Sequence, residues 1–300
     1  MSLEEYIQNR FSETCQKSYL YNIKRYIAYS GDNAVGGTYE DVLDFISFLR
    51  TTKTGGVPLH PKTLRNYLFA VKIYYQWLLV TEQRDDHPCK TLYLTDQISK
   101  AIPVETLYSE QELQNILANH KPVKSYIQHR DKVMLSLFVY QALTTSELVN
   151  INLDDLNLEN GTVHIKHLNV KQDRKLALQS NQILLIYNYL RIERPILLKR
   201  NTDTDYNPET PYTNVIINNE GRPMNPHGIS RHLNQYRNKD EQITPFKIRQ
   251  SAIKNLLRKG NDLRVVQVFA GHKRSSSTEA YKQTGLEELK NIIQKLHPLA

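Results

Sequence analysis

A helical N-terminal domain followed by an α+β domain with a small antiparallel sheet is the fold this sequence predicts, on three observations. Apolar residues across 1–92 recur at helical spacing. Between Leu153 and Leu178 the apolar period shortens to two, as strands require. Between these regions, residues 93–108 show no period and are interrupted by Pro103, which marks a linker. A chain of 300 residues is long enough for two separate cores. The expected division is therefore 1–92, a linker over 93–108, and 109–300.

In the first domain, Tyr19, Ile23, Tyr26 and Ile27 line one helix face. Thr38 followed by Asp41 reads as a cap for a helix carrying Val42, Phe45, Ile46 and Leu49. Gly55, Gly56, Pro58 and Pro61 make Thr51–Pro61 a loop. A long helix from about Lys62 to Leu79 presents Leu64, Leu68, Val71, Tyr75 and Leu78 on one side, and Asp86-His87-Pro88 closes the domain. In the second domain, Ser109 and Glu112 form a capping box for a helix through Leu117, and another helix spans 127–141. A short strand near Leu153–Leu156 precedes two strands, Thr162–Ile165 and Arg174–Leu178, joined by a polar turn. The rest reads as helical, apart from a polar loop over 201–211. A tail beginning at 286 carries Leu286, Leu289, Ile292, Ile293 and Leu296 on one helical face.

The chain carries a formal charge of +8 and a pI near 9.2, which favours a polyanionic partner. The excess is uneven, +1 over residues 1–95 and +7 over the remainder. No acid occurs from Thr51 to Thr81, where Lys53, Lys62, Arg65 and Lys72 fall. Cys15 and Cys89 make neither a disulfide framework nor a zinc pattern, which points to a reducing, cytoplasmic compartment. No signal-peptide pattern opens the chain, and no run of 18 apolar residues predicts a membrane span.

Three segments carry a resemblance. Ala270-Gly271-His272 followed by Tyr281 is similar to the Leu-Gly-His…Tyr signature of the tyrosine recombinases, the phage-integrase family. Thr244-Pro-Phe-Lys-Ile-Arg249 resembles that family's His-x-x-Arg box at a helix start. Leu143-Thr144-Thr-Ser-Glu147-Leu148 resembles its Gly-Leu-Arg-x-Ser-Glu-Leu box. The helical region 1–92 is similar to its SAM-like core-binding domain, so the resemblance covers nearly the whole chain in order. It implies the tyrosine-recombinase fold, with two domains clamping duplex DNA. It also implies site-specific recombination, in which a tyrosine attacks a phosphodiester and leaves a 3′-phosphotyrosyl link. The covalent link conserves the bond energy, so neither cofactor nor metal is expected.

The resemblance places the nucleophile at Tyr281 and phosphate-binding groups at His272 and Arg249. Guanidinium forks and an imidazole would stabilise the charge that builds on phosphorus, and a hairpin lysine would protonate the leaving oxygen. Two positions depart from the pattern: the family's first arginine falls on Thr144, and the histidine of the His-x-x-Arg box falls on Phe246. The hairpin lysine aligns near Asn169, with Lys166 and Lys171 close by; Lys171 is carried as the candidate acid. Lys247 and Arg174 are candidates to substitute for the missing groups.

Further DNA contacts are expected from Lys62, Arg65, Asn66 and Lys72 on the long helix. In the second domain, Lys171, Arg174, Lys175, Arg231, Lys247, Lys273 and Arg274 are candidates, the last two adjoining His272. The tail from 286 implies self-association, or pairing with another recombinase, on DNA. Two readings stay open. Arg249, His272 and Tyr281 support a working recombinase. Thr144 and Phe246 support a DNA-binding relative with impaired chemistry, serving an accessory, architectural or regulatory role beside an active partner. A type IB topoisomerase-like enzyme shares the tyrosine chemistry, but the core-binding domain favours recombinases.

Overall fold

The helices that start after Thr38, Ser109 and Thr144 begin with the same device. The side-chain oxygens of Thr38, Ser109 and Thr144 accept the backbone N–H three residues on, each at 3.2 Å from the amides of Asp41, Glu112 and Glu147. The carboxylates of Asp41, Glu112 and Glu147 return the bond to the capping residue's own N–H, at 2.7, 2.7 and 2.8 Å. Each reciprocal pair satisfies two orphan donors and fixes a helix start, a contribution of about 1 kcal/mol. The computed structural model describes residues 1–54, 56–97, 102–120, 127–166, 173–235 and 237–282. It divides into two units, Met1–Lys100 and Ala101–Ala300.

The first unit contains α1 (Leu3–Gln8), α2 (Glu13–Ser30), α3 (Tyr39–Thr51) and α4 (Pro61–Val80). The stretch expected to be a loop before α4 instead holds a two-rung hairpin, β1 (Lys53–Thr54) with β2 (Val57–Pro58), turned at Gly56 with φ +84°. Helices α2 and α3 both pack on α4, around Tyr26, Phe45, Leu49, Tyr75 and Leu78. The buried Tyr26 and Tyr75 hydroxyls share a 2.6 Å hydrogen bond, and Tyr75 Oη donates to Ala34 O. Residues 90–96 lie along this unit. Lys72 Nζ donates to Lys90 O at 2.9 Å, Arg65 Nη2 to the carbonyls of Leu94 and Asp96, and Arg50 grips Asp96 through two bonds of 2.6 and 2.8 Å.

The second unit is built on α6 (Gln128–Gln141), which buries side chains on nearly every face. Its first amides, His129 and Arg130, donate to the Glu193 carboxylate. Around it lie α5 (Glu110–Ala118), α7 (Thr145–Val149), α8 (Ser180–Asn188) and α9 (Arg194–Leu198), with α10 (Pro226–Leu233), α11 (Pro245–Arg258), α12 (Leu263–Ala270) and α13 (Ser276–Glu279) completing the unit. Residues 102–108 are tied to α11: Lys254 Nζ donates to Val104 O, and the Tyr108 amide to Ser251 Oγ. The sheet has antiparallel order β3 (Leu156–Asn157), β4 (Thr162–Ile165), β5 (Arg174–Ala177), pairing Val163 with Leu176 and Ile165 with Arg174. The expected strand at Leu153–Leu156 is a 3₁₀ turn over Leu153–Asp155, with β3 starting only at Leu156. The Asn152 amide is taken by Asp155 Oδ2, a local bond that competes with a ladder. Among the described residues no helix is long and apolar enough to cross a membrane.

Candidate active site

Arg249 lies on the buried side of α11, whose start is set by Thr244 as cap and Pro245 at the first turn. It is 7% exposed, and its fork bridges two turns of the chain. Nη1 donates to Ala142 O, and Nη2 to Ala270 O at 2.5 Å. Ala142 ends α6 in the left-handed region at φ +48°, and Gly271 ends α12 at φ +64°. A left-handed residue costs alanine about 1 kcal/mol or more, and here it brings a carbonyl onto a buried cation. Burial lowers the Arg249 pKa, with the Glu147 charge opposing the shift.

Glu147 joins α7 to the sheet. Its Oε2 closes the Thr144 capping box, and its Oε1 accepts Arg174 Nη1 at 2.7 Å. Arg249 Nη1 lies 3.8 Å from Oε2. Burial pushes the Glu147 carboxyl upward, but the Arg174 hydrogen bond and charge, the Thr144 amide and the Arg249 charge outweigh it and hold the pKa down to about 2. Arg174 is 5% exposed and shares the inward face of β5 with Leu176, while Lys175 points outward. Gln141, one residue before Ala142, donates to Ala177 O at 2.7 Å and so fixes the end of β5 against the end of α6.

Gly271 turns the chain into His272, whose amide donates to Gln267 O and whose carbonyl accepts from Gln267 Nε2. His272 Nδ1 lies 2.8 Å from Oγ1 of the fully buried Thr278, which fixes the ring. The Tyr281 ring is nearly parallel to it, with centroids 6.4 Å apart and an interplanar angle of 11°. Tyr281 is 9% exposed. Burial raises its pKa, opposed by a hydrogen bond with Gln250 and by the Arg249 charge. The phenol is therefore neutral at neutral pH, and attack requires proton removal as it proceeds.

Arg249, His272 and Tyr281 thus come together. Thr144 is near them but serves as the α7 cap. Phe246 is 69% exposed at the start of α11, and the adjacent Lys247 places Nζ 4.1 Å from the centre of the Tyr108 ring. Lys166 is ion-paired to Asp155 at 2.6 Å, while Lys171 and Asn169 lie outside the described residues, as does the tail from 286. Lys175, Arg231, Lys273 and Arg274 are exposed. On α4, Lys62, Arg65 and Asn66 are exposed, while Arg65 and Lys72 also hold the 90–96 segment. Three contributors were not singled out from sequence: Glu147, Gln250 and Thr278. Glu147 was legible as the third residue after a capping threonine; the other two have no signal beyond their nearness to Arg249 and Tyr281. Among the described residues no three His, Cys, Asp or Glu side chains group as a metal site.

Residues 106–287 match the Phage integrase family, and residues 2–85 the Phage integrase N-terminal SAM-like domain. The chain belongs to the phage integrase family. Among its relatives, tyrosine recombinase XerD of Proteus mirabilis is 28% identical over 260 residues, covering 85% of this chain and 78% of that protein. Tyrosine recombinase XerC of Pelotomaculum thermopropionicum is 26% identical over 305 residues, covering 100% and 96%. In fold, this integrase-family chain is similar to the Tn1549 transposon integrase in complex with transposon right end DNA, with a TM-score of 0.63 at 16% identity over 99% of both chains. It also resembles the XerH site-specific recombinase bound to its difH substrate, with a TM-score of 0.60 at 19% identity over 82% of this chain and 67% of that one. The helical first domain, the small antiparallel sheet and the tyrosine-recombinase fold expected from sequence are therefore present.

Proposed function

We propose that this protein binds duplex DNA and exchanges strands at a specific site through a 3′-phosphotyrosyl intermediate. The observation that carries this reading is the convergence of Arg249 from α11, His272 from the left-handed turn at Gly271 and Tyr281 from the turn after α13. Tyr281 Oη attacks phosphorus, the P–O bond to the 5′ oxygen breaks, and the phenolic proton leaves to a base. The departing oxygen takes a proton, for which Lys171 is the candidate donor. Arg249, held rigidly by two carbonyls, and His272, held by Thr278, present fixed donors to the charge that develops on the phosphoryl oxygens. No metal or cofactor takes part. Lys175, Lys247, Lys273 and Arg274, with Lys62, Arg65, Asn66 and Lys72 of the first domain, contact phosphates along the duplex. The tail from 286 joins protomers on DNA, either copies of this chain or a partner recombinase, and the protein works in the cytoplasm. The proposed division is a core-binding domain over 1–92, a linker over 93–108 and a catalytic domain over 109–300.

A second reading has its own support: Thr144 caps a helix and Phe246 is an exposed phenyl ring, so two expected phosphate ligands are lacking. In that case the protein is an accessory or architectural DNA-binding relative that acts with an active recombinase. Nicked suicide duplexes cut from the DNA flanking the gene separate the two. A covalent adduct on denaturing gels that vanishes in Tyr281→Phe establishes cleavage. Gel-shift binding with no adduct assigns the accessory role. Neither binding nor adduct rejects both readings.

A further inference from the structure

We propose that Arg174 is a second phosphate-binding guanidinium of this active site, supplied from the sheet in place of the arginine that position 144 lacks. The inference rests on the strand-exchange reading and adds a reacting group to it.

Arg174 alternates with Lys175 on β5, yet the arginine points inward, on the face that carries Leu176. A buried guanidinium is costly unless it is paired and hydrogen-bonded. Its pairing is with Glu147, at 2.7 Å, and that same carboxylate stands 3.8 Å from Arg249 Nη1 and 2.8 Å from the amide of Thr144. Arg174 and Arg249 are therefore one carboxylate apart, and that carboxylate also touches the very residue that departs from the expected pattern. Thr144 offers its hydroxyl oxygen to the Glu147 amide and carries no charge to offer a phosphate.

The charges support the same role. Glu147, Arg174 and Arg249 together carry one negative and two positive charges. A phosphodiester anion entering beside Tyr281 would bring negative charge next to both guanidiniums, which favours its binding. A planar fork can hold a carboxylate by one edge and a phosphate by another, which lysine cannot do. The fold also delivers the group to the right place. β5 packs on α12, whose last turn gives Ala270 O to Arg249 and then presents His272. Gln141 ties β5 to the end of α6, whose Ala142 carbonyl binds Arg249 as well.

The test uses the full chain on the nicked suicide duplexes, with single-turnover adduct formation, gel-shift affinity and thermal melting read in parallel. Arg174→Ala is expected to lower adduct formation by about 100-fold or more, as loss of one fixed donor does elsewhere, while affinity stays within a few-fold. Arg174→Lys, which keeps a charge for Glu147 but not the fork, is expected to melt near wild type and still lose most of the cleavage. Thr144→Arg in the Arg174→Ala background is expected to recover activity. In the wild-type background it is expected to give no gain, because the place is already filled. Wild-type cleavage by Arg174→Ala or Arg174→Lys overturns the proposal. So does a tenfold or greater gain from Thr144→Arg alone, a reading that holds even if Arg174→Ala fails to fold. Wild-type protein that binds duplex and forms no adduct overturns it too, while leaving DNA binding intact. Loss of binding by the wild type rejects the strand-exchange reading and this proposal with it.

Discussion

Phe246 occupies a helix start beside Arg249 and Lys247, and most of its ring faces solvent. Replacing it removes little packing, so Phe246→His is expected to leave the melting temperature nearly unchanged. An imidazole there adds a donor and a proton shuttle, and adduct formation on suicide duplexes should rise by about 10²-fold if that role is otherwise unfilled. An unchanged rate would assign proton transfer to another side chain. Glu147 is the opposite kind of residue, buried and bonded on both oxygens. Its folded pKa, about 2, lies below its ordinary value of 4.5. It therefore contributes stability in full above about pH 4.5, and that contribution is lost as pH falls toward 2. Glu147→Gln should cost about 3–5 kcal/mol at neutral pH, because two buried guanidiniums lose their counter-charge. The variant should also show a flatter fall in melting temperature between pH 4.5 and 2. A parallel fall in both proteins would show that other carboxylates govern the acid limb.

The elements that sequence pattern made legible are those whose signals are local. The capping pairs expected at Thr38 and Ser109 are formed, and the alternation of Arg174-Lys-Leu-Ala is a strand. Within that strand Arg174 turns out to share the inward face with Leu176, which its charge did not suggest. Three features were hidden. The β1–β2 hairpin is only two rungs long and is dense in Gly and Pro, so its pattern is that of a loop. The Leu153 turn has strand-like spacing but closes on its own Asn152–Asp155 bond. The tyrosine pair at the centre of the first unit was also unreadable, because it depends on a close approach across helices. A Cβ on Gly37 would sit 2.4 Å from Tyr75 Oη and 2.9 Å from Tyr26 Oη. Gly37→Ala should therefore break the Tyr26–Tyr75 bond and cost about 1–3 kcal/mol, seen as a lower denaturation midpoint. Gly228, where a Cβ meets nothing within 4 Å, is the matched control. Equal midpoints for the two alanine variants would mean that the tyrosines move aside freely.

At the scale of the whole molecule the sequence showed a charge imbalance but not its placement. Most of the +8 belongs to residues after 95, and several of the cations counted there are not at the surface. Arg130, Arg174, Arg194 and Arg249 are all buried, and their bonds are internal. On the first unit, Arg65 and Lys72 hold the 90–96 segment even though they lie on the acid-free helix. The side chains available for phosphate are therefore fewer than the formal charge suggests. Lys273 and Arg274 stand out, exposed and next to a histidine whose ring is fixed by Thr278. If both neutralise phosphates, each releases about 0.9 of a counterion on binding, and Lys273→Ala/Arg274→Ala should make the slope of log affinity against log salt shallower by about 2. Arg65→Ala should behave differently, lowering the stability of the first unit as well as affinity, because it releases the Leu94 and Asp96 carbonyls. Gel-shift titrations at several salt concentrations, with melting curves on the same samples, distinguish the two outcomes. An unchanged slope for the double variant would move the phosphate track away from the His272 turn, toward Lys175 and Lys247 instead.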